Sequence, residues 1–397
     1  MSHDVVVNMK GFTLNLRTTL FFGINAIKSF RKIAEYIVTR DLTPLLIITG
    51  KSSYKKCGAW EVVKDILESF EIESAHYDGV SANPTVDMIQ AAFEFGNGIG
   101  AKSVLGIGGG SVIDVSKATA TLLANRDISA KDLYLKRAIK NPAVPIFAIN
   151  TTHGTGTEVD RFAVATVPEE KAKISIAHES IYPTFSIDDP TLTVKLPKDQ
   201  TIYVTIDALS HALESMTSKH SNPFTVTLAI EAAHRIFENL PKVLDDLADV
   251  NSRYWLLYAS MVAGITLDNS RAHLAHALEH PISAVKPKVP HGLGLALLLP
   301  VIIEHTYKVF PKELSMALRP IAQELRGDPK EAKVARKALE EWISSLGVNE
   351  RLSNLGFNED TVDELVEIAF RTMKYLIGMT PYDVTEDLVR EIYMEIL

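Results

Sequence analysis

Two hydrophobic periods alternate along the first half of the chain. Residues 44–50 (PLLIITG) form a continuous apolar, β-branched run closed by glycine, which predicts a strand buried on both faces. Residues 102–111 (KSVLGIGGGS) and 144–150 (VPIFAIN) repeat that pattern, and 72–78 (IESAHYD) fits a further strand. Between them the spacing of apolar positions shifts to three and four. That spacing predicts helices over 26–39, 59–70, 112–124 and from near Asn83 to Gly96, with Pro84 tolerated in a first turn. Strands alternating with helices imply a parallel sheet covered on both faces.

The pattern changes at 186–199 (SIDDPTLTVKLPKD). Beyond it strand signals stop, and 206–218, 224–247 and 252–267 all carry helical spacing. The expected architecture is an α/β N-terminal nucleotide-binding domain with a parallel sheet, residues 1–190, followed by an all-α C-terminal domain, residues 191–397. A chain of 397 residues also exceeds the size at which one core keeps growing, so two domains fit its length.

The net charge of −8 argues against nucleic acid or an anionic membrane as the main partner. Cys57 is the one cysteine, so a disulfide framework and a cysteine-rich zinc site are excluded, and a packing role is expected for it. The N-terminus has no basic region followed by an apolar run, and the most apolar run, 292–303, is too short to span a bilayer. A cytoplasmic protein is expected.

Two loops carry candidate phosphate chemistry. The glycine cluster 106–111 (GIGGGS) joins a predicted strand to a predicted helix, where glycines let backbone approach an anion and free N–H groups face it. It departs from the strict dinucleotide fingerprint, because Ser111 replaces the last glycine, and from a Walker loop. The loop 150–160 (NTTHGTGTEVD) offers Thr151, Thr152 and Thr155 at the C-terminal end of the next strand, where such sheets bind ligands.

The helical half carries candidate metal chemistry. Asp207 and His211 are four apart, as are His276 and His280, and each pair shares a helix face. His291 follows a Pro-rich loop at a predicted loop-to-helix junction. One carboxylate and three imidazoles suit Fe(II) or Zn(II), and a metal offsets the cost of burying ionisable groups in apolar helices. On spacing alone His273 competes for a place in that set, while Glu214 and Glu279 read as solvent-facing or as supports for the ligands.

Taken together, GIGGGSVIDVSK, TTHGTGTEV, IDALSHALES and AHALEHPISAVKPKVPHGLGLALLLP resemble, in the same order, four motifs of the iron-containing (group III, iron-activated) alcohol dehydrogenase family. The resemblance spans nearly the whole chain and implies a dehydroquinate synthase-like fold with a cleft between its domains. It implies Asp207, His211, His276 and His291 as metal ligands and His280 as a histidine near the reacting end of the cofactor. It implies Gly109, Gly110 and Ser111 as the pyrophosphate cradle. Thr151, Thr152, Thr155, Asn83 and Lys173 then contact the cofactor. The implied reaction moves a hydride between NAD(P)(H) and a primary alcohol or aldehyde, with the metal, Fe(II) or alternatively Zn(II), as Lewis acid. The family relationship also implies a homodimer.

Some positions depart from the family pattern. His153 stands where small residues are usual, which bears on substrate access, and Phe162 is a candidate wall residue. The interval from His276 to His291 is about one residue longer than usual. Gly50, followed by Lys51 and Ser52, occupies a position where NAD-preferring relatives carry aspartate, so NADP(H) is favoured over NAD(H). The alternatives are a zinc-dependent glycerol or polyol dehydrogenase of the same superfamily and, from another class, a metal-dependent hydrolase that binds a nucleotide.

Overall fold

The computed structural model describes residues 11–397, which fall into two compact units. The first comprises residues 16–201 and 245–257. Its elements are β1 (Thr19–Phe22), α1 (Phe30–Thr39), β2 (Leu45–Gly50), α2 (Ser53–Lys56), α3 (Ala59–Ser69), β3 (Ser74–Val80), α4 (Val86–Gly98), β4 (Ser103–Gly108), α5 (Gly110–Ala124), α6 (Ala130–Lys136), β5 (Ile146–Asn150), β6 (Phe162–Val167), β7 (Ala172–Ala177) and β8 (Phe185–Asp188). Six strands form one parallel sheet in the order β1-β8-β5-β4-β2-β3.

Burial on both faces explains why the central strands are apolar without alternation. Leu45 and Ile47 of β2 point into one core with Phe30, Ile33 and Ile37 of α1 and Val63 of α3. Leu46 and Ile48 point into the other, with Ile89 of α4 and Val115 of α5. From β2 the chain turns outward to the edge strand β3, and β4 then lies on the other side of β2. The sheet therefore reverses its winding between β2 and β4, and ligands of open α/β sheets bind at the carboxyl ends of such strands.

Strands β1 and β8 were not marked by the sequence pattern, and two further features near the cofactor loops differ from it. The helix expected from Asn83 begins at Val86 instead. Asn83 is left-handed at φ 50°, and the Thr85 side chain caps the helix by accepting from Met88 N–H. The antiparallel ribbon β6–β7 was not expected. Its strands are six residues each, so their alternation is short.

The second unit comprises residues 11–15, 202–244 and 258–397 and is helical throughout its described elements. Its helices are α7 (Lys198–Thr217), α8 (Pro223–Asp245), α9 (Val250–Asn269), α10 (Leu274–Val285), α11 (His291–Tyr307), α12 (Pro311–Ala317), α13 (Ala332–Ser345), α14 (Glu359–Thr372), α15 (Lys374–Met379) and α16 (Glu386–Glu395), with residues 198–201 of α7, 245 of α8 and 250–257 of α9 counted in the first unit. Helix α10 is buried on nearly every side, and α11 over most of its length. Such helices carry polar side chains only where those are satisfied. Among the described residues no helix is long and apolar enough to cross a membrane.

Candidate metal centre and cofactor site

Helix α7 presents Asp207 and His211 on one face, and α10 and α11 bring His276 and His291 to it. Three imidazole nitrogens surround one carboxylate oxygen. Asp207 Oδ1 lies 3.3 Å from His276 Nε2, 3.6 Å from His211 Nε2 and 3.6 Å from His291 Nε2. The donor atoms of Asp207, His276 and His291 all fall within 4.8 Å of one another, and His211 joins them through Asp207. Ligands about 2.1 Å from one ion in a tetrahedron stand about 3.4 Å apart, which is the spacing that the three imidazoles keep from Asp207 Oδ1. The His211 and His276 rings stack at 4.4 Å.

Two buried glutamates stand behind the imidazoles. Glu214 Oε2 faces His276 Nδ1, and Glu279 Oε2 faces His291 Nδ1. A carboxylate on Nδ1 fixes the ring orientation and leaves the Nε2 lone pair for an ion. Ser210 donates to Glu214 at 2.9 Å, and the Ser283 hydroxyl donates to Glu279. Burial alone would raise the pKa of Asp207, but the His211, His276 and His291 imidazoles hold its carboxyl well below the usual range. Burial opposes the charged form of His276 too, yet the Glu214 and Asp207 carboxylates push it up to about 10. His211 is pushed down by burial to about 4, with Asp207 opposing.

His280 sits one turn beyond His276, with ring centres 6.2 Å from His276 and 5.6 Å from His291. Its donor atoms also group with Glu279 and His291. His273 lies just before α10 rather than within it, and its Nε2 is 3.0 Å from the Thr217 hydroxyl. Burial pushes it down to about 4. It stands behind the cluster, on the far side of Glu214.

Two close approaches depend on missing side chains. A Cβ on Gly292 would fall against backbone atoms of Tyr203 on α7, 2.5 Å from the carbonyl carbon and closer still to the oxygen. A Cβ on Gly294 would press on Glu279 Cγ at 2.8 Å. The glycines after His291 thus let α11 start against α7 and leave room for Glu279.

In the α/β unit, Gly109 caps α5 and Gly110 opens it, directly beyond β4. A Cβ on Gly109 would meet Thr152 Cγ2 at 2.6 Å, and one on Gly110 would meet the Thr155 side chain. The glycine cluster and the threonine loop are therefore in contact. Thr151 N–H donates to Gly108 carbonyl, continuing the strand pairing. Asn150 Oδ1 accepts from Thr152 N–H at 3.1 Å, and its amide donates to Asp188 at 3.1 Å. Lys173 donates to Asn83 at 3.2 Å. Gly50 ends β2, beside β4, and Ser52 immediately precedes the short helix α2. Lys51 is exposed and pairs with Asp78 at 2.9 Å.

Residues not singled out from the sequence hold these loops. Lys117 is fully buried on α5 and donates to the Thr157 hydroxyl, the carbonyls of Asp160 and Phe162, and Asp160 Oδ1, all within 2.9 Å. Asp114, one turn earlier, accepts from Thr157 and from Val164 N–H. Their signal was present as the D-x-x-K spacing after the glycines. His153 is fully buried near Arg253, and burial pushes it down to about 3. Phe162 begins β6, with its ring half-buried and its carbonyl on Lys117.

Residues 18–190 match the iron-containing alcohol dehydrogenase family, and residues 201–397 match the family's C-terminal domain. The chain is 45% identical over 388 residues to a long-chain primary alcohol dehydrogenase, AdhA, of Thermoanaerobacter ethanolicus, covering 97% of each. In structure it superposes on an archaeal halo-thermophilic Red Sea brine pool alcohol dehydrogenase with a TM-score of 0.89 at 29% identity, covering 98% of this chain and 99% of that one. It likewise superposes on the NADH-dependent butanol dehydrogenase A of Thermotoga maritima with a TM-score of 0.87 at 27% identity, covering 98% and 99%. These matches favour the dehydrogenase over the polyol and hydrolase alternatives. The chain belongs to the iron-containing alcohol dehydrogenase family and is an oxidoreductase acting on alcohols.

Proposed function

We propose that the chain interconverts primary alcohols and aldehydes, with iron held by Asp207, His211, His276 and His291 and with NADP(H) preferred over NAD(H). The observation that carries this reading is the set of three imidazole Nε2 atoms within 3.6 Å of one Asp207 oxygen. Mixed nitrogen and oxygen donors accept iron and zinc alike, and the family match favours iron. A divalent ion bound there supplies a Lewis acid at the substrate oxygen, which lowers the pKa of an alcohol and polarises a carbonyl.

The protein's own groups do the rest. Glu214 and Glu279 keep His276 and His291 in the ligating tautomer. Gly109, Gly110 and Ser111 hold the pyrophosphate of the nicotinamide cofactor on the first turn of α5. Thr151, Thr152, Thr155, Asn83 and Lys173 orient the cofactor for hydride transfer, with Gly50 and Ser52 at its ribose end. His280 passes the proton between substrate and solvent. In this reading residues 1–190 serve the dinucleotide, residues 191–397 serve the metal, and the chain works as a cytoplasmic homodimer on small alcohols and aldehydes.

Purified protein given ferrous iron, NADPH and an aldehyde series of rising chain length is expected to consume NADPH, and a chelator to stop it. No consumption with any aldehyde would sink the reading. His280→Ala should lower kcat by about 10²-fold with metal content intact. Loss of metal on that substitution would reassign His280 as a ligand.

The cofactor preference has its own test. A carboxylate at position 50 would bond a ribose 2′-hydroxyl and repel a 2′-phosphate. A Cβ there comes 3.2 Å from the Val80 carbonyl oxygen and 3.9 Å from the Ser53 hydroxyl, so it fits with a small shift. Gly50→Asp should lower the NADPH-to-NADH ratio of kcat/KM by about tenfold or more. An unchanged ratio would show that this position does not set the preference.

A further inference from the structure

Glu214 does two things at once. Its Oε1 accepts the backbone N–H groups of His273 at 2.9 Å, Ala275 at 2.9 Å and His276 at 3.4 Å. These are the unpaired donors at the start of α10, which a helix cannot satisfy from within. The residue before that helix, His273, makes no side-chain cap of its own. The other oxygen, Oε2, faces His276 Nδ1 and accepts from Ser210. Five donors from two helices thus converge on one side chain that is 1% exposed.

We infer that Glu214 is a positioning residue that couples formation of the first turn of α10 to capture of the metal by His276. The argument rests on acceptor count. A carboxylate offers acceptors on both oxygens, whereas an amide offers one oxygen and one donor nitrogen. Glutamine at 214 can turn its oxygen to the three backbone N–H groups. Its NH₂ then faces His276 Nδ1, which must accept, and the proton moves to Nε2, the atom that would ligate the ion. Turned the other way, glutamine keeps the ligating tautomer and sets its NH₂ against three N–H donors. Either orientation loses one of the two functions. With the carboxylate both are met together, so the ligand is presented only when the helix start is formed.

Glu279 supplies the comparison. It also backs a proposed ligand, His291, but it lies in the second turn of α10 and not at the helix start. The inference rests on the metal site proposed above, and the measurements separate the two. Zinc affinity of the metal-free protein is measured by competition with a chromophoric chelator. Amide hydrogen exchange at residues 273–276 is followed in the metal-free state.

Wild-type protein that takes up no zinc would refute the metal site itself. If it does bind zinc, Glu214→Gln should weaken affinity by about 10- to 100-fold, or speed exchange at 273–276 by at least about tenfold, or do both. Glu279→Gln should weaken affinity by a similar factor and leave exchange at 273–276 unchanged. Glu214→Asp, which keeps both acceptor oxygens, should recover part of what Gln loses. Glu214→Gln with affinity and exchange both within about twofold of wild type would overturn the coupling. Equal acceleration of exchange in Glu279→Gln would overturn it too, because the helix start would then not depend on Glu214 in particular.

Discussion

Gly292→Ala should abolish tight metal binding at the proposed site. The new methyl would fall against the Tyr203 main chain, 2.5 Å from the carbonyl carbon and 2.8 Å from the Cα. No flexible side-chain end is there to swing aside. The first turn of α11 must therefore move off α7 by about 1.5 Å before ordinary contact distances return. His291 is the first residue of that turn, and its Nε2 is 3.6 Å from Asp207 Oδ1. Metal–ligand distances tolerate only about 0.2 Å, so the displacement would take the proposed ligand His291 out of reach of the ion. Overpacking of this kind also costs about 1–3 kcal/mol of stability. The expected result is zinc affinity weakened by about 10²-fold or more, with the metal-free protein melting several degrees lower. Gly294→Ala is milder, because the atom it meets, Glu279 Cγ, belongs to a side chain. Competition titration and calorimetry on the three proteins decide the matter. Wild-type affinity in Gly292→Ala would mean that this close approach does not set the position of His291.

That contact shows what spacing along a chain can and cannot reveal. The runs 44–50, 102–111 and 144–150 were legible as buried strands because both of their faces are covered, so successive positions are apolar without alternation. The pairs Asp207/His211 and His276/His280 were legible because four residues make one helical turn. Glu214 continues the Asp207/His211 face at the seventh position, and that signal was there to be used. Its partners, the N–H groups that open α10, lie about sixty residues away and leave no mark on local periodicity. The reach of Glu279 to His291 across the Pro-rich loop was hidden for the same reason. The ribbon β6–β7 escaped because its strands are short and Phe162, Ala163 and Val164 supply little polar contrast. His273 looked like a candidate ligand from its spacing. Just before the helix its ring turns to the Thr217 hydroxyl instead.

Asp207→Asn should leave a folded protein with almost no metal and almost no activity. The substitution keeps shape and volume, so packing of α7 changes little. What it removes is the single negative charge around which three imidazoles stand, at 3.3, 3.6 and 3.6 Å. In the metal-free protein that charge also helps to hold His276 in its charged form. An amide oxygen is a far weaker partner for a divalent ion, and the remaining carboxylates, Glu214 and Glu279, face the far ring nitrogens and not the donor atoms. Metal affinity should fall by about 10³-fold or more, and kcat/KM by a similar factor, because the Lewis acid is lost with the ion. Ligand binding to the native state adds RT ln(1 + [L]/Kd) to stability, or about 4 kcal/mol at a thousandfold excess over Kd. Wild-type protein should therefore melt several degrees higher with saturating metal, and Asp207→Asn should show no such rise. Metal analysis after gel filtration gives the direct reading. If Asp207→Asn retains one metal per chain and still gains stability on metal addition, the ion is held elsewhere, and the Glu279, His280 and His291 group becomes the place to look.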